Sequence, residues 1–246
     1  SHRKQASVHK ITEFINESFA GPLMKKELLV IDKIFNEKKK PVTCIIGGSK
    51  ISTKINVILN LVKNINYLII VGAMANDFLK YEGCKIGKSL SEENTEKIIK
   101  NIYLNTKNYD CKIIIPEDVK VDENLEGKGI IKKKDSIQKN EIILDIGKET
   151  VKKIETIIDQ SNTVLWNGPA GYFENKNFAF GTNSIAKKIS ENTINKSLIS
   201  IIGGGDTISA INKSQLKLSF THLSTAGGAF LEYLEGKDLP GLSVLK

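Results

Sequence analysis

Six apolar, β-branched runs punctuate the chain: VTCIIGG, NYLIIVGA, CKIIIP, NTVLWNGP, LISIIGGG and FTHLSTAGG. A strand with one wet face alternates apolar and polar residues, whereas a strand covered on both faces does not, so these runs predict parallel strands sandwiched between helices. Stretches with helical spacing of apolar residues lie between them, INVILNLVKNI and SEENTEKIIKNIYLN among them. This alternation predicts an α/β fold with a doubly wound, mainly parallel six-stranded sheet flanked by helices. Five of the six runs carry glycine in the turn that follows, and the carboxyl edge of an open α/β sheet is where ligands sit.

Two regions stand outside the pattern. Residues 4–18 place Val8, Ile11, Phe14 and Ile15 on one side of a short amphipathic helix, and residues 22–37 do the same with Leu23, Met24, Leu28, Ile31 and Phe35. Neither begins as a domain normally begins, and with no initiator methionine the sequence is expected to be cut from something longer.

A chain of 246 residues, 40% hydrophobic, can bury one large core or two modest ones. No apolar run approaches the roughly 18 residues of a membrane span, and SHRKQASVHK lacks the layout of a secretory signal, so a cytoplasmic protein with no membrane partner is expected. The net charge of +8 raises the question of nucleic acid. Arg3 is the only arginine among 36 basic side chains, and groove readers favour arginine's bidentate fork. Nucleic acid is therefore not expected as a partner, and Lys38–Lys40 and Lys132–Lys134 read as solvated surface. Cys44, Cys84 and Cys111 lack metal or redox spacing and read as buried free thiols.

The turns carry the candidate chemistry. In GGSKISTK, residues 47–54, Lys50 and Lys54 lie four apart where a helix begins. The helix N-terminus and the like-charge pair both disfavour this unless an anion is present, the alternative being two solvated lysines. In STAGGAFLEYL, residues 224–234, small residues open a helix whose amides can hold an oxyanion, or the turn is merely tight. In IIGGGDTISA, residues 201–210, Asp206 either caps the next helix or holds a divalent cation against a phosphate.

Together these stretches resemble the phosphoglycerate kinase family. GGSKISTK is similar to its GGAKxxDK block, WNGPAGYFE to WNGPMGxFE, GGGDT to its nucleotide-and-metal turn, HLSTAGGA to H[IV]STGGGA, and LEGKDLPGLSVL to LEGKxLPGVxxL. SHRKQAS resembles the HRxHAS segment near the end of that family's N-terminal domain, so the likeness runs from residue 2 to the last residues. It implies the C-terminal, Rossmann-like part of a two-domain enzyme, monomeric at full length, with most of the N-terminal domain absent. Residues 1–19 would be the last helix of the N-terminal substrate domain, 20–38 an interdomain helix, and 39–225 the nucleotide-binding domain. Residues 226–246 would be the phosphate-binding turn, helix and C-terminal return segment.

The resemblance also implies an activity, the glycolytic transfer of the acyl phosphate of 1,3-bisphosphoglycerate to ADP, giving 3-phosphoglycerate and ATP, with Mg2+. Adenine would lie against Gly47, Gly48, Gly72 and Ala73, with Ser49 beside them and Pro169 on the nucleoside. Glu174 would take the ribose, Asn167 and Lys54 the phosphates, and Asp206 the metal, with Gly204, Gly205 and Thr207 near the phosphate chain. Lys50, Gly227 and Gly228 would surround the phosphoryl group in flight, and Arg3 would hold the phosphate of the glycerate. Such a transfer needs alignment and charge neutralisation more than a base, because the reverse-direction nucleophile is an ionised carboxylate. The three histidines are therefore no objection.

Ser49, Ala73, Ala170, Ala226 and Phe230 depart from the family blocks, and Ala226 would be strained if its φ were positive. The chain is expected to bind Mg-nucleotide but to transfer phosphate weakly or not at all without the N-terminal domain. The alternatives are a free-standing ADP/ATP-binding module and a dinucleotide-dependent oxidoreductase. The latter would want a G-x-G-x-x-G stretch, which is missing.

Overall fold

The computed structural model describes residues 2–36 and 39–245, with the side chains of residues 31–36 left aside. Lys38 and the side chains of Ile31 and Phe35 therefore lie outside the described residues. All six apolar runs form strands: β1 (Val42–Ile46), β2 (Tyr67–Ile70), β3 (Lys112–Ile114), β7 (Thr163–Asn167), β8 (Ile199–Gly203) and β9 (His222–Leu223). They make one sheet in the order β3-β2-β1-β7-β8-β9, every pairing parallel. The chain winds outward from β1 to β3, then returns to β7 on the other side of β1 and winds outward again. The order reverses between β1 and β7, and a crevice opens there at the carboxyl ends of the strands.

Burial on both faces explains the missing alternation. Cys44 and Ile46 point into one core with Ile58 and Leu61 of α2 (Ile55–Leu61), Ile102 of α4 (Glu96–Asn108) and Phe230 of α8 (Gly228–Leu234). Ile45 and Trp166 point into a second core, with Ile154 of α5 (Lys148–Gln160) and Ile185 of α6 (Phe180–Asn195). Helices α3 (Met74–Tyr81), α7 (Gly205–Lys213) and α9 (Pro240–Ser243) complete the chain together with α1 (Pro22–Asn36).

The strand pattern missed a second sheet. β4 (Asp118–Asp122), β5 (Ile130–Lys133) and β6 (Ile142–Ile146) form an antiparallel sheet in the order β5-β4-β6. Val119 and Val121 pack with Leu79 of α3 and with Ile137. Lysines 132–134 are not simply solvated here, since they pair with Glu141, Glu149 and Glu82 respectively. Of the cysteines, Cys44 and Cys111 are buried as expected, while Cys84 is half-buried with its sulfur 3.4 Å from Asp135 Oδ1.

The amphipathic helix expected over residues 4–18 shrinks to a 3-10 helix at Lys10–Phe14. Ile11, Phe14 and Ile15 stay 50, 83 and 46% exposed. Short helices owe their stability to a packed apolar face, and of this face only Val8 is half-buried. α1 is tied down instead by Glu27, which lies buried against the segment leading from β9 into α8. Its carboxylate accepts bonds from Ser224 Oγ (2.9 Å), Thr225 N (2.7 Å) and Thr225 Oγ1 (3.0 Å) and lies 2.9 Å from His222 Nε2. Burial alone would raise this carboxyl, but these bonds outweigh it and hold the group below the usual carboxylate range.

Candidate functional site

At the switch point the turns after β1 and β7 touch backbone to backbone. Gly47 N donates to Asn167 O at 2.8 Å, and a methyl group on Gly47 would come within 2.3 Å of Pro169 O and 2.8 Å of Gly168 O. No side chain fits between the two turns.

Beside this contact is a hollow of about 270 Å³. The turn after β1 contributes Gly47, Gly48, Ser49, Lys50 and Lys54, and the turn after β7 contributes Asn167 and Pro169. Gly204, Gly205, Asp206 and Thr207 come from the turn after β8, and Gly227 and Gly228 from the one after β9. A second hollow of about 360 Å³ adjoins it, sharing Gly48, Ser49, Pro169 and Asp206. Gly72, Ala73 and Glu174 line this one, with an apolar wall from Leu79, Val119, Leu144 and Phe173. Apart from Arg3, every candidate site residue thus lines one of two contiguous hollows. Arg3 is exposed and lines neither, although the neighbouring His2 places its Nε2 3.7 Å from where a Gly228 Cβ would stand.

The smaller hollow is rich in unanswered positive character. Lys54 is half-buried and its Nζ donates to Asn167 Oδ1. Burial pushes the Lys54 ammonium down, with Cys44 and Asp206 pulling the other way. Asn167 is 3% exposed, and its Nδ2 has no partner. Lys50 is exposed and makes no ion pair among the described residues. The two lysines therefore differ, one bonded within the protein and one open to solvent over the hollow.

Asp206 does not cap α7. Gly204 occupies that place with φ +95°, no side chain caps the helix, and the Asp206 carboxylate is exposed on the rim shared by both hollows. Thr207 is buried and structural, since its Oγ1 accepts from Gly168 N at 2.7 Å and binds the β8 turn to the β7 turn. Among the described residues no cluster of three or more His, Cys, Asp or Glu could hold a metal. A lone carboxylate suits magnesium when substrate phosphates complete its shell. Gly227 adopts φ +57°, whereas Ala226 is not among the residues with positive φ, so the strain considered for it does not arise.

Three further residues shape the hollows, Phe173 and Gly203 from stretches already singled out and Asp145 from one with no local signal in the sequence. Phe173 forms part of the apolar wall, and Lys213 of α7 sits 5.3 Å from its ring centre. Asp145 lines the larger hollow and is buried, its carboxylate taking amides from Ile146 (2.8 Å) and Gly181 (2.9 Å). Burial pushes its carboxyl up to about 7 against those bonds. Gly203 ends β8 under the hollow, packed against Phe230.

Comparison with known proteins follows this geometry. A family model described as "Phosphoglycerate kinase" matches residues 1–237. A phosphoglycerate kinase of Wolbachia pipientis wMel is 44% identical over 248 residues, which cover 100% of this chain and 62% of that protein. That of Francisella tularensis subsp. novicida strain U112 is 41% identical with the same coverage. The chain thus spans about 62% of the length of the curated relatives it matches. The solved phosphoglycerate kinase of Coxiella burnetii superposes with a TM-score of 0.93 at 37% identity, over 100% of this chain and 63% of that one. The Pyrococcus horikoshii OT3 enzyme gives 0.82 at 28% identity, over 99% and 61%.

Proposed function

Since the chain belongs to the phosphoglycerate kinase family, we propose that its two joined hollows bind one magnesium-complexed ADP or ATP, as part of a cytoplasmic glycolytic kinase. The observation that carries this is the convergence of four glycine-bearing turns on one polar hollow continuous with an apolar one. A nucleotide has that same division, with an apolar base at one end and a polyanion at the other.

In this reading the base lies on Gly72 and Ala73 with Pro169 across from it, and Glu174 accepts from the ribose hydroxyls. The phosphates pass Gly48 and Ser49 into the smaller hollow. The free Nδ2 of Asn167 and the ammonium of Lys54 face them there, and an incoming phosphate oxygen gives the orphaned donor its missing partner. Asp206, which lines both hollows, would hold the magnesium, and the metal would supply neutralisation of phosphate charge. Lys50 and the amides of Gly227 and Gly228 surround the phosphoryl group.

The reaction breaks the bond between phosphorus and the acyl oxygen and forms one to an oxygen of the ADP terminal phosphate. The glycerate carboxylate leaves already ionised, so the residues need to align and neutralise, not to carry protons. The glycerate side, with Arg3 on its phosphate, belongs to the assembled enzyme. The chain by itself binds nucleotide and transfers little.

Titration calorimetry of the folded chain with ADP and Mg2+ tests the nucleotide site. Saturable heat is expected, and its absence with both ADP and ATP removes the proposal. Adding a polypeptide equivalent to the unmatched part of the relatives should then restore phosphoryl transfer, and a nucleotide-binding chain that stays inactive would rule out the kinase assignment.

A further inference from the structure

Lys50 is gripped from outside the hollow it serves. Its neighbour Ile51 is fully buried, Thr53 Oγ1 donates to Lys50 O at 2.9 Å, and Lys54 N donates to Ile51 O at 2.9 Å. Ser52, the next residue of this turn, meets Glu92, which lines neither hollow and lies between α3 and α4. Glu92 Oε2 accepts from Ser52 N at 2.9 Å, and Oε1 accepts from Ser52 Oγ at 2.6 Å.

Glu92 is held firmly in its turn. Its own N–H donates to Asp77 Oδ1 at 2.8 Å, and two residues earlier Leu90 O accepts from Asn76 Nδ2 at 2.9 Å. Asn76 and Asp77 are both 1% exposed in the first turn of α3, directly after the Gly72 and Ala73 that line the larger hollow. A chain of bonded groups therefore runs from the wall of the apolar hollow to the lysine of the polar one.

We propose that Glu92 is the positioning residue for Lys50, resting on the nucleotide assignment made above. It fixes the amide and hydroxyl of Ser52 so that the Lys50 side chain overhangs the hollow. Its oxygens are occupied by the turn, so it offsets some of the repulsion between Lys50 and Lys54 without drawing either into an ion pair. An incoming phosphate then meets an ammonium that has no ion-pair partner to give up among the described residues.

The test compares ATP with ADP, because Lys50 is assigned to the terminal phosphate that only ATP carries. Glu92→Ala is expected to lower the ratio of ATP to ADP affinity by about threefold to tenfold, the effect of misplacing one charge-assisted contact. Lys50→Met should lower the same ratio, and adding it to Glu92→Ala should lower it little further. In amide spectra the Ser52 proton should move upfield in Glu92→Ala. If wild type binds both nucleotides and Glu92→Ala keeps their ratio, or if the two substitutions act additively, the positioning role is wrong and the nucleotide site stands. If wild type binds neither, both fall together. Ser52→Ala, which removes the 2.6 Å bond alone, gives the same comparison, with a smaller loss expected, should Glu92→Ala fold poorly.

Discussion

Replacing Gly203 by alanine measures how tightly the floor beneath the smaller hollow is packed. The new Cβ would lie 2.4 Å from Cε1 and 2.5 Å from Cδ1 of Phe230, where carbon atoms prefer about 3.5–4.0 Å. Roughly 1 Å must therefore be found. The backbone offers no excuse, since Gly203 is not among the glycines with positive φ and alanine suits a strand there. The ring cannot swing away, because Phe230 is 0% exposed within the core of that face. Overpacking of this kind costs about 1–3 kcal/mol. Phe230→Ala alone leaves a void and costs about 3–5 kcal/mol. In the double variant the clash has no second party, so its loss should fall short of the sum by about the whole Gly203→Ala cost. Equilibrium urea unfolding of the four proteins measures this directly. Losses that add to within about 0.5 kcal/mol would show that the two positions do not compete for space, and the packing argument would fail.

Asp206→Asn should weaken ADP binding about tenfold, or about 1.4 kcal/mol, when Mg2+ is present and much less in chelator, as read by calorimetry under both conditions. Glu27→Ala strips partners from His222, Ser224 and the Thr225 amide, and leaving buried donors without their acceptor costs about 1–3 kcal/mol; amides of α1 should lose exchange protection first. Because the folded Glu27 carboxyl is held below its usual range, the stability it contributes is present at neutral pH and drains away as pH falls through that range. Asp145 has the opposite sign, being pushed up to about 7 by burial. Wild type should therefore lose stability as pH rises between about 4 and 7, with a flatter profile for Asp145→Asn in denaturant titrations across that window.

The large sheet was legible because its physics is local. A strand buried on both faces must be apolar throughout, and the inner strands β1, β2, β7 and β8 carry that mark, while the edge strands β3 and β9 leave Lys112 and Leu223 exposed. The small sheet was not, for the converse reason: β5 is IIKK with both isoleucines exposed, and β4 is DVKVD, with charges at alternate places. These strands pair with one another, within residues 118–146, but their composition is that of a linker. The first helix failed differently. Its periodicity is real, but periodicity states only that a face is available for packing, and Phe14 finds no cover.

The site divides along the same line. Where function needs bare backbone, glycine is compulsory and visible, as at Gly47, where any side chain would strike the Pro169 carbonyl. Where function needs a lysine held in place, the holder leaves no trace nearby: Glu92 reaches Ser52 across 40 residues, and Glu27 reaches His222 across 195. What the pattern did register was an imbalance, two ammonium groups four apart at a helix start with no carboxylate in step with them. In the folded protein that imbalance persists among the described residues, with Lys50 unpaired, Asn167 Nδ2 unpartnered, and a single carboxylate, Asp206, lining the hollow. Folding thus gathers positive groups that repel one another, at a cost a bound polyanion can repay.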